Sequence, residues 1–211
     1  MSVLEQIYGA VLAGDRSAVE QGVAEALDRK TPAGNILAEG LISPMKEIGN
    51  QFEQGEIYVP EMLVSARAMK TGLTLLKPHL QVGGIKASGK VVIGTVQGDL
   101  HDIGKNLVGI MLEGAGYEVV DLGTDVNPAA FADAARENGA QIVAMSALLT
   151  TTMASMHATI EAIEDYGIRQ DVRVIIGGAP VTQDFANEIG ADGFAADASR
   201  AVGLVGSLLS K

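Results

Sequence analysis

Apolar positions in the first 80 residues recur at steps of three and four, the period of a helix with one buried face. Val3, Leu4, Ile7, Val11 and Leu12 make the first such stripe. Asp15 then offers a side-chain cap to a second helix, striped by Val19, Val23, Ala26 and Leu27. Thr31-Pro32 supplies a cap followed by proline at the first helical position, where its missing N–H costs nothing. Ile36, Leu37, Leu41, Ile42, Met45, Ile48 and Phe52 continue at similar spacing. Pro44 falls inside that run and predicts a kinked or split helix, because its ring meets the preceding turn. Pro60 opens a further helix through Met62, Leu63, Ala66, Met69, Leu73 and Leu76. Helices of this length on short loops predict an antiparallel bundle of about four.

From Lys90 the pattern changes to short β-branched runs at 90–95, 117–122, 141–146 and 172–177, with a weaker one at 193–195. Helical stretches lie between them. Asn127-Pro128 caps one that carries Phe131, Ala134 and Ala135, and 152–166 forms another. Strands alternating with helices predict a parallel sheet covered on both faces. The fold class is therefore α/β: a helical-bundle cap over 1–85, then a doubly wound, Rossmann- or flavodoxin-like domain of five parallel strands over 86–211. Between them, residues 81–89 (QVGGIKASG) have the composition of a flexible linker and hinge.

Composition removes several functions. Of 211 residues, 47% are hydrophobic, enough to bury a core. Cysteine is absent, which excludes disulfides, thiolate metal sites and cysteine nucleophiles. The net charge is −11 with no long basic run, so nucleic acid is not an expected partner. The acidity is concentrated late: residues 87–211 hold 7 basic and 16 acidic side chains. Residues 1–14 lack the basic start of a secretory leader, and the apolar runs 90–96, 141–149 and 172–181 are far shorter than the ~20 residues a membrane helix needs. The expectation is a cytoplasmic protein without a membrane partner.

In an open parallel sheet, ligands bind beyond the carboxyl ends of the strands, where strand order reverses. For a 2-1-3-4-5 order that point lies between the first and third strands. The loop after the first strand reads Gly98-Asp99-Leu100-His101-Asp102-Ile103-Gly104-Lys105-Asn106. His101 can ligate a metal through one ring nitrogen while the other donates to a carboxylate, which fixes the tautomer; Asp99 is placed to be that partner. Gly98 and Gly104 permit close approach of something bulky. The plainer alternative is that Asp99 and Asp102 cap the next helix and His101 is merely exposed. After the third strand, Ser146-Ala147-Leu148-Leu149-Thr150-Thr151-Thr152 sets four hydroxyls around two leucines, as a pocket lining or, for Thr151 or Thr152, as a helix cap. After the fourth comes Gly177-Gly178-Ala179-Pro180, ordinary turn punctuation by itself. No dinucleotide fingerprint or P-loop is present.

Together these loops resemble the cobalamin-binding domain of corrinoid methyl-carrier proteins and methionine synthase. D-x-H-x-x-G stands at Asp99, His101 and Gly104, S-x-L at Ser146 and Leu148, and Gly-Gly at Gly177 and Gly178. The helical half resembles the family's cap in Gly49–Glu56 (GNQFEQGE), Tyr58–Leu63 (YVPEML) and Ala66–Lys70 (ARAMK). The likeness covers essentially the whole chain, and is nearest to small stand-alone carriers.

The resemblance implies a cobalamin or related corrinoid as cofactor. His101 would bind its cobalt from below, with Asp99 behind it. Thr152 stands where methionine synthase has a serine continuing that relay. Gly98, Asp102 and Ile103 would line the approach, Ser146, Leu148 and Thr150 the cavity for the nucleotide tail, and Gly177 and Gly178 would give it room. Phe52, Val59, Met62 and Leu63 would cover the upper face, or, for Met62 and Leu63, belong to the bundle core. The implied role is a methyl carrier between a donor-specific methyltransferase (methanol, methylamine, betaine or aryl-ether type) and an acceptor methyltransferase using tetrahydrofolate or a thiol. A reductive activator is a further candidate partner. Two alternatives stay open: a corrinoid-binding regulatory sensor, which would add a DNA-binding region, and a metal-dependent hydrolase, which would need ligands beyond His79, His101 and His157.

Overall fold

Ser2 opens the first helix with a reciprocal cap: its hydroxyl accepts the Glu5 N–H, and its own N–H donates to the Glu5 carboxylate. The computed structural model describes residues 2–82 and 87–210. After α1 (Val3–Leu12), Asp15 caps α2 (Arg16–Asp28) through the Ala18 N–H at 3.0 Å. A single turn, α3 (Ala33–Asn35), runs through a π-helical stretch at Ile36–Ile42 into α4 (Ser43–Glu53). The predicted break at Pro44 therefore takes the form of a wider coil. In α geometry the proline ring would press on the Gly40 carbonyl; instead the Ser43 N–H reaches back five residues to Ala38. The last helix of this unit, α5, spans Val59–Val82 and carries Pro78 inside it.

Helix α5 also takes up the first two residues of the expected linker, since nothing in Gln81-Val82 stops a helix. The next four residues of that stretch, 83–86, lie outside the described residues. Ile7, Val11, Val19, Val23, Ile36, Leu41, Met69 and Leu76 have essentially no exposed surface, which makes them the interior the helical stripes demand. Helix α5 approaches closely enough at Gly72 that a Cβ there would sit 2.8 Å from both Leu41 and Val19.

The chain divides into two compact units, residues 1–87 with 113–116 and residues 88–112 with 117–211. The second is built on five parallel strands, β1 (Lys90–Thr95), β2 (Glu118–Asp121), β3 (Ile142–Ser146), β4 (Arg173–Gly177) and β5 (Gly193–Phe194), in the order β2-β1-β3-β4-β5. Between and after them run α6 (Ile103–Gly114), α7 (Pro128–Asn138), α8 (Ala154–Asp165), α9 (Gln183–Glu188) and α10 (Ala198–Leu209). Alternation along the strands sorts the core into two layers. Val92, Val143, Met145, Val174 and Ile176 pack with Phe131, Met156, Ile160 and Ile163 from α7 and α8. Val91, Ile93, Ile142, Ala144 and Ile175 pack with Leu112 and Val205 from α6 and α10. Helix α8 begins at Ala154, after a separate 3₁₀ turn at Thr150–Thr152, so the helix predicted from residue 152 starts two residues late. No described helix is long and apolar enough to cross a membrane.

Candidate functional site

The strand register sets the site. Thr95 at the end of β1 lies opposite Ser146 of β3, and Ser146 opposite Gly177 of β4, so three loops leave the sheet side by side. β1 lies between β2 and β3, so its loop has a neighbour on each side.

Asp99 is the hub of that loop and is fully buried, at 0% exposure. Its Oδ1 accepts the His101 backbone N–H at 3.0 Å and faces the His101 Nδ1 at 2.7 Å. Its Oδ2 accepts the Leu148 N–H at 2.8 Å, the Leu149 N–H at 3.3 Å and the Thr152 hydroxyl at 2.8 Å. Burial by itself would raise the pKa of this carboxyl. The backbone N–H groups of His101 and Leu148, then the His101 ring and the Thr152 hydroxyl, outweigh it and hold Asp99 well below the usual carboxylate range.

An ionised Asp99 dictates the proton on its partner. A neutral His101 ring must carry its hydrogen on Nδ1, which leaves the Nε2 lone pair free on the other side of the ring. The His101 side chain is 51% exposed. In its own segment Leu100 is 74% and Ile103 81% exposed, and Leu148 and Leu149, whose N–H groups bind Asp99, are each 43% exposed. Four aliphatic side chains facing solvent beside one oriented imidazole mark a surface that a broad apolar group would cover. A Cβ at Gly104 would meet nothing within 4 Å, so the backbone there is open to close approach. Among the described residues no three His, Asp or Glu side chains converge to hold a bare ion. One imidazole donor in an apolar rim instead suits a metal that brings its own macrocycle, and the site fits a corrinoid.

The other expected residues fall as follows. Asp102 directly precedes α6 and its carboxylate accepts from the Asn106 side-chain amide at 2.9 Å. Gly98 has φ +84 and donates its N–H to Asp125. Thr152 does not cap α8: its hydroxyl serves Asp99 and lies 2.9 Å from the Leu149 carbonyl. Ser146 is half-buried and Thr150 exposed. Gly178 has φ +127, and a Cβ there would lie 1.9 Å from the Ala147 carbonyl oxygen, so only glycine lets the loops after β3 and β4 pass this closely. Gly177 approaches the Ala195 carbonyl in the same way, at 3.0 Å. In the helical unit Met62 is fully buried, while Phe52, Val59 and Leu63 keep part of their surface exposed.

Several supports were not legible from the local pattern. The Thr95 hydroxyl donates to the His101 carbonyl at 2.9 Å, and the Ser155 hydroxyl to the Gln97 carbonyl at 3.1 Å. Lys105, buried on α6, places Nζ 2.6 and 2.5 Å from the two Asp121 oxygens at the end of β2. These bonds span the fold, and no spacing rule announces them.

Comparison with known proteins gives the same reading. Residues 89–203 match a family model described as B12 binding domain, and residues 3–77 match a second model of that description. A corrinoid protein of Desulfitobacterium hafniense is 40% identical over 100% of this chain and 99% of its own length. Dimethylamine corrinoid protein 3 of Methanosarcina acetivorans is 40% identical over 98% of this chain and 97% of its own. The methanol:cobalamin methyltransferase complex of Methanosarcina barkeri contains a chain that superposes with a TM-score of 0.88 at 28% identity, covering 99% of this chain and 80% of that one. With its buried Asp99, its oriented His101 and two matched domains, the chain belongs to the B12-binding family of corrinoid proteins.

Proposed function

We propose that this chain is a cytoplasmic methyl carrier: it holds a corrinoid on His101 and presents it in turn to two partner enzymes. One partner is a donor-specific methyltransferase of the methanol, methylamine, betaine or aryl-ether type, and the other passes the methyl group to tetrahydrofolate or a thiol. A reductive activator is a third partner in this reading. The observation that carries it is the His101 ring, fixed through Nδ1 on a buried carboxylate, with exposed aliphatic side chains in the same loops. The relatives' names, a dimethylamine corrinoid protein and a methanol:cobalamin methyltransferase complex, support the methyl-transfer context.

A bound corrinoid would supply a cobalt ion able to take up and release a methyl group. The chain's own residues set the conditions for it. Asp99 keeps the ring hydrogen on Nδ1, so Nε2 is the nitrogen offered for ligation. A ring that is not ligated stays in place, because its Nδ1–H still donates to Asp99. Thr152 has one hydroxyl hydrogen and two acceptors in reach, Asp99 Oδ2 and the Leu149 carbonyl. While Asp99 is ionised, the hydrogen goes to the carboxylate, the stronger acceptor. Were Asp99 to gain a proton, the hydroxyl could accept from it and turn to Leu149. Threonine at position 152 thus serves the relay as serine would.

Leu100 and Ile103 would supply apolar contact to the group, and Gly98, Asp102 and Gly104 would shape its approach. Ser146, Leu148 and Thr150 are assigned to the cavity for its nucleotide tail, with Gly177 and Gly178 giving it room. Phe52, Val59 and Leu63, which keep part of their surface exposed, are assigned to keeping water from it, and Met62, with none exposed, is not.

The test is reconstitution with hydroxocobalamin, followed by incubation with methylamine- or methanol-specific methyltransferases and their substrates. Methylation of the protein-bound cobalamin, read from its visible spectrum, is the expected result. Protein that retains no corrinoid, or that retains it without ever being methylated by any such enzyme, would overturn the reading.

A further inference from the structure

Among the described residues, Lys30 and Asp125 are the non-glycine residues with positive φ, at +61 and +55. Lys30 needs no special account. It ends α2, and the bonds from Lys30 N–H to Leu27 and from Thr31 N–H to Ala26 close a common helix terminus. Asp125 ends no helix. It lies in the connection from β2 to α7, where a left-handed side chain is held only if its surroundings demand it.

That connection continues along the edge of β1 by backbone bonds: Leu122 N–H to Ile93, Thr95 N–H to Gly123 and Val126 N–H to Thr95. At Asp125 it turns onto the loop that carries His101. The Asp125 N–H donates to the Asp99 carbonyl at 3.0 Å, and the Asp125 Oδ1 accepts the Gly98 N–H at 2.7 Å. Two groups of one strained residue therefore close on two consecutive loop residues. In the sheet β1 lies between β2 and β3, so Asp99 is held from both sides. Its backbone is pinned from the β2 side by Asp125, and its carboxylate from the β3 side by Leu148, Leu149 and Thr152.

We propose that Asp125 is a positioning residue for His101. By fixing Gly98 and the Asp99 backbone, it sets the height at which the Asp99–His101 pair stands above the sheet. This role rests on the reading of His101 Nε2 as the metal ligand. The Lys105–Asp121 pair anchors the two flanks of the same region: Asp121 also accepts the Gly123 N–H at 2.9 Å, and Lys105 sits at the start of α6 just beyond the loop.

Two substitutions separate positioning from mere turn geometry. Asp125→Gly removes the acceptor but relieves the left-handed backbone, so a residue needed only for its turn would be neutral or better as glycine. Asp125→Asn keeps both the acceptor and the tolerance for this conformation. Each apoprotein is followed by amide hydrogen exchange at Gly98. Each protein is then loaded at pH 7 with aquocobinamide, a corrinoid that has no nucleotide base of its own, and imidazole-ligated against water-ligated cobalt is read from the visible spectrum. In the glycine variant, loss of one charge-assisted bond lowers the ligated-to-unligated ratio about tenfold and speeds Gly98 exchange about tenfold. The asparagine variant stays within about twofold of wild type on both readouts, as a neutral acceptor in the same place should. Wild-type values in the glycine variant, or equal loss in both variants, would overturn the proposal. Wild-type protein without imidazole ligation would remove the reading beneath it, and this role with it, whatever the exchange data.

Discussion

Asp99 and His101 are joined twice: the same carboxylate oxygen takes the backbone N–H of His101 at 3.0 Å and faces its ring Nδ1 at 2.7 Å. Two residues apart in one loop, they form a closed unit in which the ring's orientation is dictated by its own main chain. Leu148, Leu149 and Thr152 then tie that unit to the neighbouring strand's loop through the second oxygen.

Removing the acceptor therefore costs more than one bond. Asp99→Ala leaves several buried donors without a partner, and a loss of about 3 kcal/mol in unfolding free energy is expected from urea titration of the apoprotein. Asp99→Asn keeps the shape and one acceptor oxygen and should lose less. Equal, small losses in both variants would show that the carboxylate does not organise the loops.

The same contacts make stability depend on pH. The folded-state pKa of Asp99 is lowered below its unfolded value of about 4. The stabilisation is therefore complete above that value and fades as pH falls toward the folded-state pKa, because the unfolded chain takes the proton first. Denaturant midpoints of the apoprotein should drop below about pH 4 more steeply in wild type than in Asp99→Asn. Parallel pH profiles would contradict the buried, ionised carboxylate.

Two glycines should answer alanine in opposite ways. Gly178→Ala forces a Cβ to 1.9 Å from the Ala147 carbonyl at φ +127, and a loss above about 2 kcal/mol is expected on thermal unfolding. Gly104→Ala meets nothing within 4 Å and lies in helix α6, so the apoprotein should gain up to about 1 kcal/mol. Its corrinoid uptake should nonetheless fall, because the methyl group fills the open approach beside His101. Unimpaired binding of hydroxocobalamin by Gly104→Ala would argue that nothing comes close there.

How much of this was legible beforehand follows the range of the interactions. The stripes of Val3 to Leu12 and Met62 to Leu76 and the alternation of Val91, Val92 and Ile93 are local patterns, and they gave the helices, the strands and the two-layered sheet. The Asp99–His101 pairing was legible because its partners stand two residues apart. Thr152 was legible only through the family resemblance. Asp125, Lys105 and Ser155 were not, because their partners lie on other loops and strands and are reached only after folding. The π-helical stretch before Pro44 shows a local rule correctly raising an alarm without naming the outcome: the ring's conflict is relieved by a wider coil rather than by a break.

The central claim is that His101 Nε2 ligates the corrinoid cobalt. The most direct measurement is electron paramagnetic resonance of the cobalamin-loaded protein, reduced to cobalt(II), prepared with ordinary histidine and with ¹⁵N-labelled histidine. Nitrogen splitting that changes with the label in wild type but not in His101→Ala is the expected result. Splitting indifferent to the label in wild type, or still sensitive to it in His101→Ala, would contradict the account.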